Sequence, residues 1–595
     1  MFFQGDEMFL PTDKKEMEIR GWQQPDFVLV TGDAYVDHPS FGTAIISRVL
    51  EAHGFKVAIL SQPGWKDAED FKKFGKPRLG FLINSGNVDS MVNHFSVFRH
   101  RRKRDVYSPG GKTGKRPDRA VIVYSNRARE AYKDVPVIIG GLEASLRRLG
   151  HYDYWDDKVR RSILMDSRAD ILIYGMGERA VVEIAEALDA GICADDIKWI
   201  RGTCVREKNP DIQEDDIVLP AFHDIATSKE EYCRSFAMQY RSNDPVNGVR
   251  LVEEYDKNNY VIQNPPQPPL EREELDMIYD LPYMREYHPS YEPLGGVPAV
   301  EEIKFSITAN RGCFGGCAFC AITYHQGREV RSRSRESIVD EAKKITRMKG
   351  FKGYIHDIGG PTANFRMPSC EKQKKHGMCQ HKDCLFPKPC SQLKVDHSEY
   401  IDVLRAVREI DGVKKVFIRS GIRYDYMLAD RDDSFMNELC RHHVSGVLKV
   451  APEHISDRVL KNMRKPSKYV FEKFSEKYRA VNRRLGKKQY MIPYFISSHP
   501  GSTLEDAVEL ALYMKKTGFV PDQVQDFYPT PGTLATCMYY TEMDPFTMKK
   551  IYVAKTEQEK RMQRALLHFN KKENRSLVKK ALIEAGREDL MEVLL

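Results

Sequence analysis

The sequence predicts an α/β protein of several domains, on the basis of three observations. Short apolar runs alternate with amphipathic stretches between residues 26 and 190, a second series of strands and helices fills residues 298–540, and residues 541–595 are rich in Lys, Glu, Leu and Ala. The first pattern is typical of a doubly wound sheet, and the last of a helical C-terminal extension. The expected segments are a tail (1–25), a Rossmann-like α/β domain (26–190), a connecting region (191–297), a second α/β domain (298–540) with a cysteine-rich insertion (366–395), and the helical extension (541–595).

Composition and length restrict the class of protein. A chain of 595 residues is too long for a single core. With 41% hydrophobic and 30% charged residues, and no run near the roughly 18 apolar residues that span a bilayer, we expect no membrane partner. Met1–Glu7 lacks a basic segment followed by an apolar core, so no secretory signal is expected. Twelve cysteines, clustered rather than spread, favour metal ligation in a reducing compartment, which we take to be the cytoplasm.

The N-terminal domain shows repeated strand and helix signals. Gly54 ends an amphipathic helix over Thr43–His53. The apolar runs predicted as strands are Phe27–Val30, Val57–Leu60, Leu79–Ile83, Val121–Tyr124, Val137–Gly141 and Ile171–Gly175. Their spacing predicts an open doubly wound sheet, in which ligands bind beyond the carboxyl ends of the strands.

A basic stretch follows the third predicted strand. It begins at Arg99–Arg104 and continues through Lys112, Lys115, Arg116 and Arg119. Such a run either binds phosphates, as in RNA, or forms a solvated loop. A phosphate loop around Gly111 is excluded, because that motif needs a glycine where Val106 stands.

Residues 191–297 carry weaker patterning and two proline- and glycine-rich breaks. Asn264–Pro269 is incompatible with a helix or a central strand, and Leu294–Pro298 forms the second break. We expect a connecting region with a proline-rich linker here.

Three cysteines carry the strongest chemical signal. Cys313, Cys317 and Cys320 have the spacing C-x3-C-x2-C within a glycine-rich loop. A four-iron cluster normally takes four cysteines, so a compact set of three predicts a [4Fe-4S] cluster with one iron free to bind a small molecule. Zinc fits poorly because His325 is the only nearby histidine. Phe319, next to the last cysteine, is placed to shield the cluster from water.

This loop resembles the signature of radical S-adenosylmethionine (SAM) enzymes. The resemblance continues through Gly327–Ser334 and His356–Asn364, which are similar to the YgiQ-type radical SAM proteins, and it extends over most of the chain. It implies that the open iron binds SAM. It also implies that one electron, from a donor such as flavodoxin or ferredoxin, cleaves SAM to a 5′-deoxyadenosyl radical and methionine. Neither the sequence nor the resemblance names the substrate or a catalytic residue beyond the cofactor sites.

The same resemblance implies a partial (β/α)6 radical SAM barrel over residues 298–540. Its strands are expected at Ile303–Ile307, Gly353–His356, Lys415–Ile418, Val447–Val450 and Tyr494–Ile496, and Ser334 is expected to cap a helix. Gly359, Gly360, Pro361 and Thr362 correspond to the glycine-rich turn that holds the methionine amino group. Polar residues at Arg419–Gly421, Glu453–His454 and Ser497–His499 are candidates for contact with SAM ribose or substrate, or for surface and capping roles.

Two glycine-rich strand ends in the N-terminal domain resemble cobalamin-binding domains. They are Ile139–Ser145 and Tyr174–Ala180, and ordinary strand-to-helix turns need the same glycines. The Asp-x-His-x-x-Gly motif is broken, since Asp37 and His38 are adjacent. Some cobalamin-dependent radical SAM enzymes lack that motif, so cobalamin stays an alternative.

A second cysteine set lies in the insertion. Cys370, Cys379, Cys384 and Cys390 stand within a short stretch rich in proline and lysine. Zinc, an auxiliary iron–sulfur cluster and independent free thiols are the alternatives. The remaining cysteines, Cys193, Cys204, Cys233, Cys440 and Cys537, are interpreted as packing residues.

Three functions follow from these signals. The leading one is a cytoplasmic radical SAM enzyme of unknown substrate. The alternatives are a cobalamin-assisted methyl or group transferase, possible on RNA, and a non-catalytic iron–sulfur or zinc protein that binds nucleic acid.

Overall fold

The computed structural model describes residues 8–521 and 524–595, and the chain divides into two compact units. The first contains residues 8–231, 238–308 and 324–327, and the second contains residues 232–237, 309–323 and 328–595. Met1–Glu7, on which the absence of a signal was argued, lies outside the described residues. Within the expected tail, Asp13 caps a helix at Lys14–Ile19.

A nine-stranded sheet forms the centre of the first unit as far as the structure describes it. Its parallel strands lie in the spatial order Val57–Ser61, Phe27–Thr31, Gly80–Asn84, Val137–Ile139 and Ile171–Ile173. The strand that comes first in the chain is second in space, which is the order of a flavodoxin-like doubly wound sheet. The predicted doubly wound fold is therefore confirmed.

Both faces of the parallel sheet are buried. Val28 and Val30 pack into the apolar cluster on one side, and Phe27 and Leu29 pack into the cluster on the other. Strands covered on both faces read as continuous apolar runs, which is why these segments were recognisable in the sequence. The helices of this half are Gly42–Ala52, Ser90–His94, Ala120–Ala131, Gly141–Leu146, Ile163–Ser167, Glu178–Asp189, Phe222–Thr227, Lys229–Ser242, Arg272–Asp280 and Ala299–Ile303.

One predicted strand is a helix. Val121–Tyr124 lies inside the helix Ala120–Ala131, whose buried side includes Ala120, Val121, Tyr124 and Ala128. Val121, Tyr124 and Ala128 are spaced three or four residues apart, the period of a helix. A run of four apolar residues is too short to show that period by itself. The strand prediction at this point is wrong.

Residues 191–297 differ from the connecting region that the sequence predicts. Thr203–Lys208, Asn259–Gln263 and Leu251–Asp256 extend the sheet by antiparallel pairing, and Ile217–Val218 adds a short edge. Polar residues such as Glu254 interrupt these strands, which weakens the apolar signal without preventing backbone pairing. Short antiparallel pairs also join Val36–Asp37 with Glu286–Tyr287 and His151–Asp153 with Lys158–Arg160.

The second unit contains the partial (β/α)6 barrel. Tyr354–Ile355 pairs in parallel with Lys415–Val416, and Tyr490–Ser497 pairs in parallel with Val447–Glu453 and Gln525–Asp526. A further short strand, Asp357–Gly359, follows Tyr354–Ile355 one residue later in the chain. The helices are Arg335–Thr346, Glu371–His376, Ser398–Arg408, Tyr424–Ala429, Ser434–Glu438, Asp457–Met463, Lys468–Arg484, Leu504–Thr517 and Leu534–Thr541.

Two local predictions for this region have different outcomes. The Ser334 side chain caps Arg335–Thr346 by accepting from Ser337 N–H, as expected. The strand expected through Ile303 begins only at Ser306, because residues 299–303 are helical. Pro298 and the acidic first turn that follows it favour a helix start at that point.

The C-terminal extension is helical, as predicted. Its helices are Glu557–Leu567, Arg575–Glu584 and Met591–Leu594. Leu566 and Leu582 share an apolar cluster with Leu510 of the helix Leu504–Thr517, so the extension is packed onto the second unit. Over the described part of the chain, we find no helix with both the length and the apolarity to cross a bilayer.

Candidate metal centre

The backbone before the three cysteines is fixed by a short antiparallel pair. Asn310–Arg311 pairs with Arg331–Ser332, and Gly312 follows with a φ of +77°. A Cβ at Gly312 would lie 2.9 Å from the Glu329 carbonyl carbon and still closer to its oxygen. Glycine is therefore required where the chain turns into the loop.

The loop directs hydrogen-bond donors at two of its sulfur atoms. Gly315 N–H donates to Cys313 Sγ over 3.4 Å. Arg423 Nη1 donates to Cys317 Sγ over 3.4 Å and to the Gly315 carbonyl over 3.3 Å. Asp425 holds this guanidinium by accepting from Arg423 Nε over 2.6 Å. Donors of this kind stabilise the negative charge of thiolate ligands.

The thiols themselves are placed in a low-dielectric environment. Burial raises the pKa of Cys320 to about 12, and burial also raises the pKa of Cys313. The neighbouring Cys317 charge adds to both effects. Thiolates at these positions therefore need a positive partner, and a metal centre supplies one.

The three cysteines provide a set of sulfur donors within one short loop. The cysteines of a four-iron cluster each bind a different iron, so their sulfur atoms remain further apart than the ligands of one ion. The sulfur-donor set of Cys313, Cys317 and Cys320 thus fits a [4Fe-4S] cluster.

The predicted glycine turn lies beside the first cysteine. Thr362 Oγ1 is 3.4 Å from Cys313 Sγ, and Asn310 Nδ2 donates to the Thr362 carbonyl over 3.2 Å. A Cβ at Gly360 would lie 2.6 Å from the Asn310 carbonyl oxygen. A Cβ at Gly359 would lie 2.6 Å from Ser420 Cβ. Sequence reasoning missed Asn310, although it stands just before the Arg-Gly-Cys run.

The Asn310 side chain leaves one acceptor unused. Its Oδ1 atom is buried, and no donor among the described residues reaches it. A buried acceptor without a donor costs free energy, so such atoms often mark the position of a ligand. An ammonium group of a bound molecule would satisfy this atom.

Three more polar residues stand at the ends of barrel strands. Glu453 and Ser498 are non-glycine residues in the left-handed region, with φ of +71° and +58°. Burial lowers the pKa of His499 to about 3, so this imidazole is neutral. The His499 ring contacts Phe319 edge-on, with centroids 5.9 Å apart. Backbone strain and buried polar groups concentrate at functional sites, which supports the predicted role of these strand ends.

A further carboxylate, which sequence reasoning also missed, organises the strand end near the glycine turn. Asp357 accepts from Arg419 N–H over 2.8 Å and from the Ser420 hydroxyl. Burial raises the Asp357 pKa. Arg423 and Asp425 were not singled out from the sequence either, since their contact with the cysteine loop bridges 106 residues.

Part of the basic stretch at 99–119 is neutralised within its own unit. Arg116 is buried and pairs with Asp33 at 3.0 Å and Asp105 at 3.2 Å. Arg101 pairs with Asp118 at 2.9 Å. The exposed basic residues of the stretch are Arg99, Arg101, Arg102, Lys103, Arg104, Lys112 and Lys115. A buried, paired arginine is not available to phosphates, so these contacts favour the structural interpretation of the run over the RNA interpretation.

The strand ends proposed for cobalamin form contacts with other residues of the first unit. Ser145 Oγ lies 3.0 Å from both Gly175 N and His325 Nδ1, and a Cβ at Gly175 would lie 3.3 Å from the His325 carbonyl. Arg148 is buried with its guanidinium 3.7 Å from the centre of the Tyr324 ring. These contacts give the two glycine-rich segments a structural role as strand-to-helix turns.

Asp37 and His38, the residues of the broken Asp-x-His-x-x-Gly motif, are buried within the first unit. Asp37 forms a buried ion pair with Arg48 and accepts from Met284 N–H over 3.2 Å. His38 is buried beside it, and burial lowers the His38 pKa well below its usual value. Asp37 thus has a structural role in the first unit.

Comparison with known proteins agrees with this geometry. The chain matches the family models "Radical SAM N-terminal" over residues 9–306, "Radical SAM superfamily" over residues 307–514 and "Domain of unknown function (DUF3362)" over residues 522–593. A UPF0313 protein of Clostridium botulinum (strain ATCC 19397 / Type A) is 58% identical over 583 residues, covering 98% of this chain and 90% of the relative. One of Clostridium perfringens (strain SM101 / Type A) is 57% identical over 587 residues, covering 98% and 88%.

Solved structures with a similar fold are more distant. The radical SAM methyltransferase TsrM from Kitasatospora setae, with cobalamin and a [4Fe-4S] cluster bound, has a TM-score of 0.49 and 14% identity. The alignment covers 86% of this chain and 74% of TsrM. The cobalamin-dependent SAM radical enzyme OxsB has a TM-score of 0.47 and 9% identity, with 97% and 77% covered.

The fold, the cysteine loop and the matched models define a protein of the radical SAM superfamily. Its two halves correspond to the N-terminal and the core models of that superfamily. Within it, the chain belongs to the UPF0313 family. The predicted resemblance is thereby confirmed.

Proposed function

We propose that this protein is an enzyme that holds a [4Fe-4S] cluster with Cys313, Cys317 and Cys320 and cleaves SAM reductively. The observation that carries the proposal is the 3.4 Å approach of Thr362 Oγ1 to Cys313 Sγ, because it joins the thiol loop to the glycine turn. When bound and reduced, the cluster supplies one electron that breaks the S–C5′ bond of SAM to give methionine and a 5′-deoxyadenosyl radical. The electron comes from an external donor of the flavodoxin or ferredoxin type.

The residues around the loop position the cofactor and the SAM. Arg423 and the Gly315 N–H donate to cysteine sulfur and so stabilise thiolate charge at Cys317 and Cys313. Asn310 Oδ1 would accept a hydrogen bond from the amino group of bound SAM, and Gly360 leaves the space for the close approach of backbone and Asn310.

Other residues exclude water from the reacting atoms. Phe319 and neutral His499 pack against each other, and Phe527 contacts the same imidazole at 5.2 Å between centroids. An apolar, uncharged wall of this kind protects a reactive radical from side reactions. These contacts do not identify the substrate that receives the radical.

A corrinoid is not part of the proposed chemistry. TsrM and OxsB are described as a methyltransferase with cobalamin bound and a cobalamin-dependent enzyme, respectively. In this chain, Ser145 contacts Gly175 and His325 at the glycine-rich strand ends, and the residues around the cysteine loop account for the proposed chemistry without a corrinoid. The clustered cysteines favour a reducing compartment, so we place the enzyme in the cytoplasm.

The decisive experiment measures 5′-deoxyadenosine. Anaerobically reconstituted protein is given dithionite and SAM, and the product is quantified by mass spectrometry together with iron content. The wild type and a Cys193→Ala control, in which an exposed cysteine of the other unit is replaced, should both form it. Cys313→Ala should lose the cluster and the product. Cluster-loaded wild type that forms no more product than Cys313→Ala would overturn the proposal.

A further inference from the structure

The cysteine-rich insertion, residues 366–395, has little apolar core of its own. Its only regular element among the described residues is the short helix Glu371–His376, and six of its 30 residues are buried. Met378 and Leu385 are its buried large apolar side chains. A segment of this size with so few buried apolar groups usually needs a covalent or metal cross-link to hold one conformation.

The insertion brings its cysteines to one place. Cys370, Cys379 and Cys384 line a common cavity. The Ser369 hydroxyl lines the same cavity and lies 3.9 Å from Cys370 Sγ. All three cysteines are partly buried there.

The fourth cysteine is tied to the same group through the backbone. Cys390 N–H donates to the Cys384 carbonyl over 2.9 Å, which closes the intervening loop.

The insertion is fastened to the radical SAM loop on its other side. Asp383 pairs with Arg464 at 3.2 Å, and Gln373 donates to the Arg328 carbonyl over 3.1 Å. Phe314 of the radical SAM loop lines the cavity together with the cysteines. It also packs in an apolar cluster with Leu385 of the insertion. A cross-link among the four cysteines would therefore stabilise the residues that pack against Phe314 of the radical SAM loop.

We propose that Cys370, Cys379, Cys384 and Cys390 bind a second, thiolate-ligated metal centre. As the side chains stand, no three described ligands converge on one ion. A χ1 rotation of Cys370, Cys379 or Cys384 moves its sulfur between staggered positions around the cavity that these three residues line. Four thiolates satisfy a single zinc ion or a second iron–sulfur cluster, and these two occupants share the same ligand chemistry.

The test begins from a variant without the first site. The background variant Cys313→Ala/Cys317→Ala/Cys320→Ala is purified, reconstituted anaerobically with iron and sulfide or with Zn²⁺, and analysed for metal and labile sulfide. We expect about one zinc or about four iron per chain, with sulfur ligands in X-ray absorption spectra. The absorption edge and the sulfide content distinguish the two occupants. Metal-free protein after both treatments would overturn the proposal.

Matched variants assign the ligands. In the same background, Cys379→Ser/Cys384→Ser should lower the bound metal at least about tenfold, since two of four thiolates are lost. Cys193→Ser, which changes an exposed cysteine outside the insertion, should leave it unchanged. If the double variant does not fold, Cys390→Ser alone serves, with Co²⁺ titration as the readout. Equal metal content in the insertion and control variants would refute these ligands.

Discussion

Replacing Arg423 by Met tests the electrostatic support of the cysteine loop. The Asp425 side chain is 2% exposed and receives both the Nε and Nη2 donors of Arg423. Removal of one partner leaves a buried, uncompensated carboxylate, which costs about 3–5 kcal/mol. The second unit contains about 290 residues. With an unfolding entropy of about 2.1 cal/mol/K per residue, this cost lowers its thermal midpoint by about 5–8 °C.

The assay is calorimetric unfolding of the cluster-loaded protein at neutral pH. The double variant Arg423→Met/Asp425→Leu removes the uncompensated charge, so it should recover most of the lost midpoint. Iron content is measured in parallel, because Arg423 also donates to Cys317 Sγ. A midpoint change below about 2 °C in the single variant, or no recovery in the double variant, would refute the reasoning that this pair is buried and coupled.

Three further predictions concern the site and its unit. Gly360→Ala should weaken SAM binding at least about tenfold in equilibrium dialysis, because its Cβ would lie 2.6 Å from the Asn310 carbonyl oxygen. Gly42→Ala meets no atom within 4 Å and is the matched control; equal losses in both variants would contradict the steric argument. Burial raises the pKa of Glu438, but its bond with His443 and nearby arginine charge lower it from 4.5 to about 2. The folded state therefore loses stability as the pH falls below about 4.5 toward 2, and Glu438→Gln should flatten that part of the profile in acid unfolding curves. An unchanged acid slope would exclude this role. Chelation of iron should lower the thermal midpoint of the second unit, and reconstitution should restore it, because the buried thiols lose their positive partner; an identical midpoint without iron would contradict a structural role for the cluster.

The parts of the fold that were predictable share one property, which is a strong local signal. Phe27–Thr31 and Val57–Ser61 are buried on both faces, so their sequences are continuously apolar. The cysteine loop is defined by residues only a few positions apart. The start of the helix Arg335–Thr346 was predictable because the N-cap residue Ser334 acts on the turn that directly follows it.

The parts that were missed depend on long-range contacts or on weak periodicity. Leu251–Asp256 and Asn259–Gln263 are paired strands with mixed polarity, and their sequences resemble those of loops. Val121–Tyr124 is apolar enough for a strand, and only the residues after it continue the helical period. The role of Arg423 depends on a sulfur atom 106 residues away, which no local pattern reports.

The segment 324–327 has a consequence for biosynthesis. These four residues fold with the first unit although they are encoded after the cysteine loop. Ser145 and His325, which meet at 3.0 Å, are 180 residues apart. At a translation rate of about 5–20 residues per second, His325 is synthesised about 9–36 s after Ser145, the residue that it contacts. A fragment that stops at residue 308 would leave the Arg148 guanidinium without the Tyr324 ring, so the first unit completes its fold only after the iron-binding loop has been synthesised.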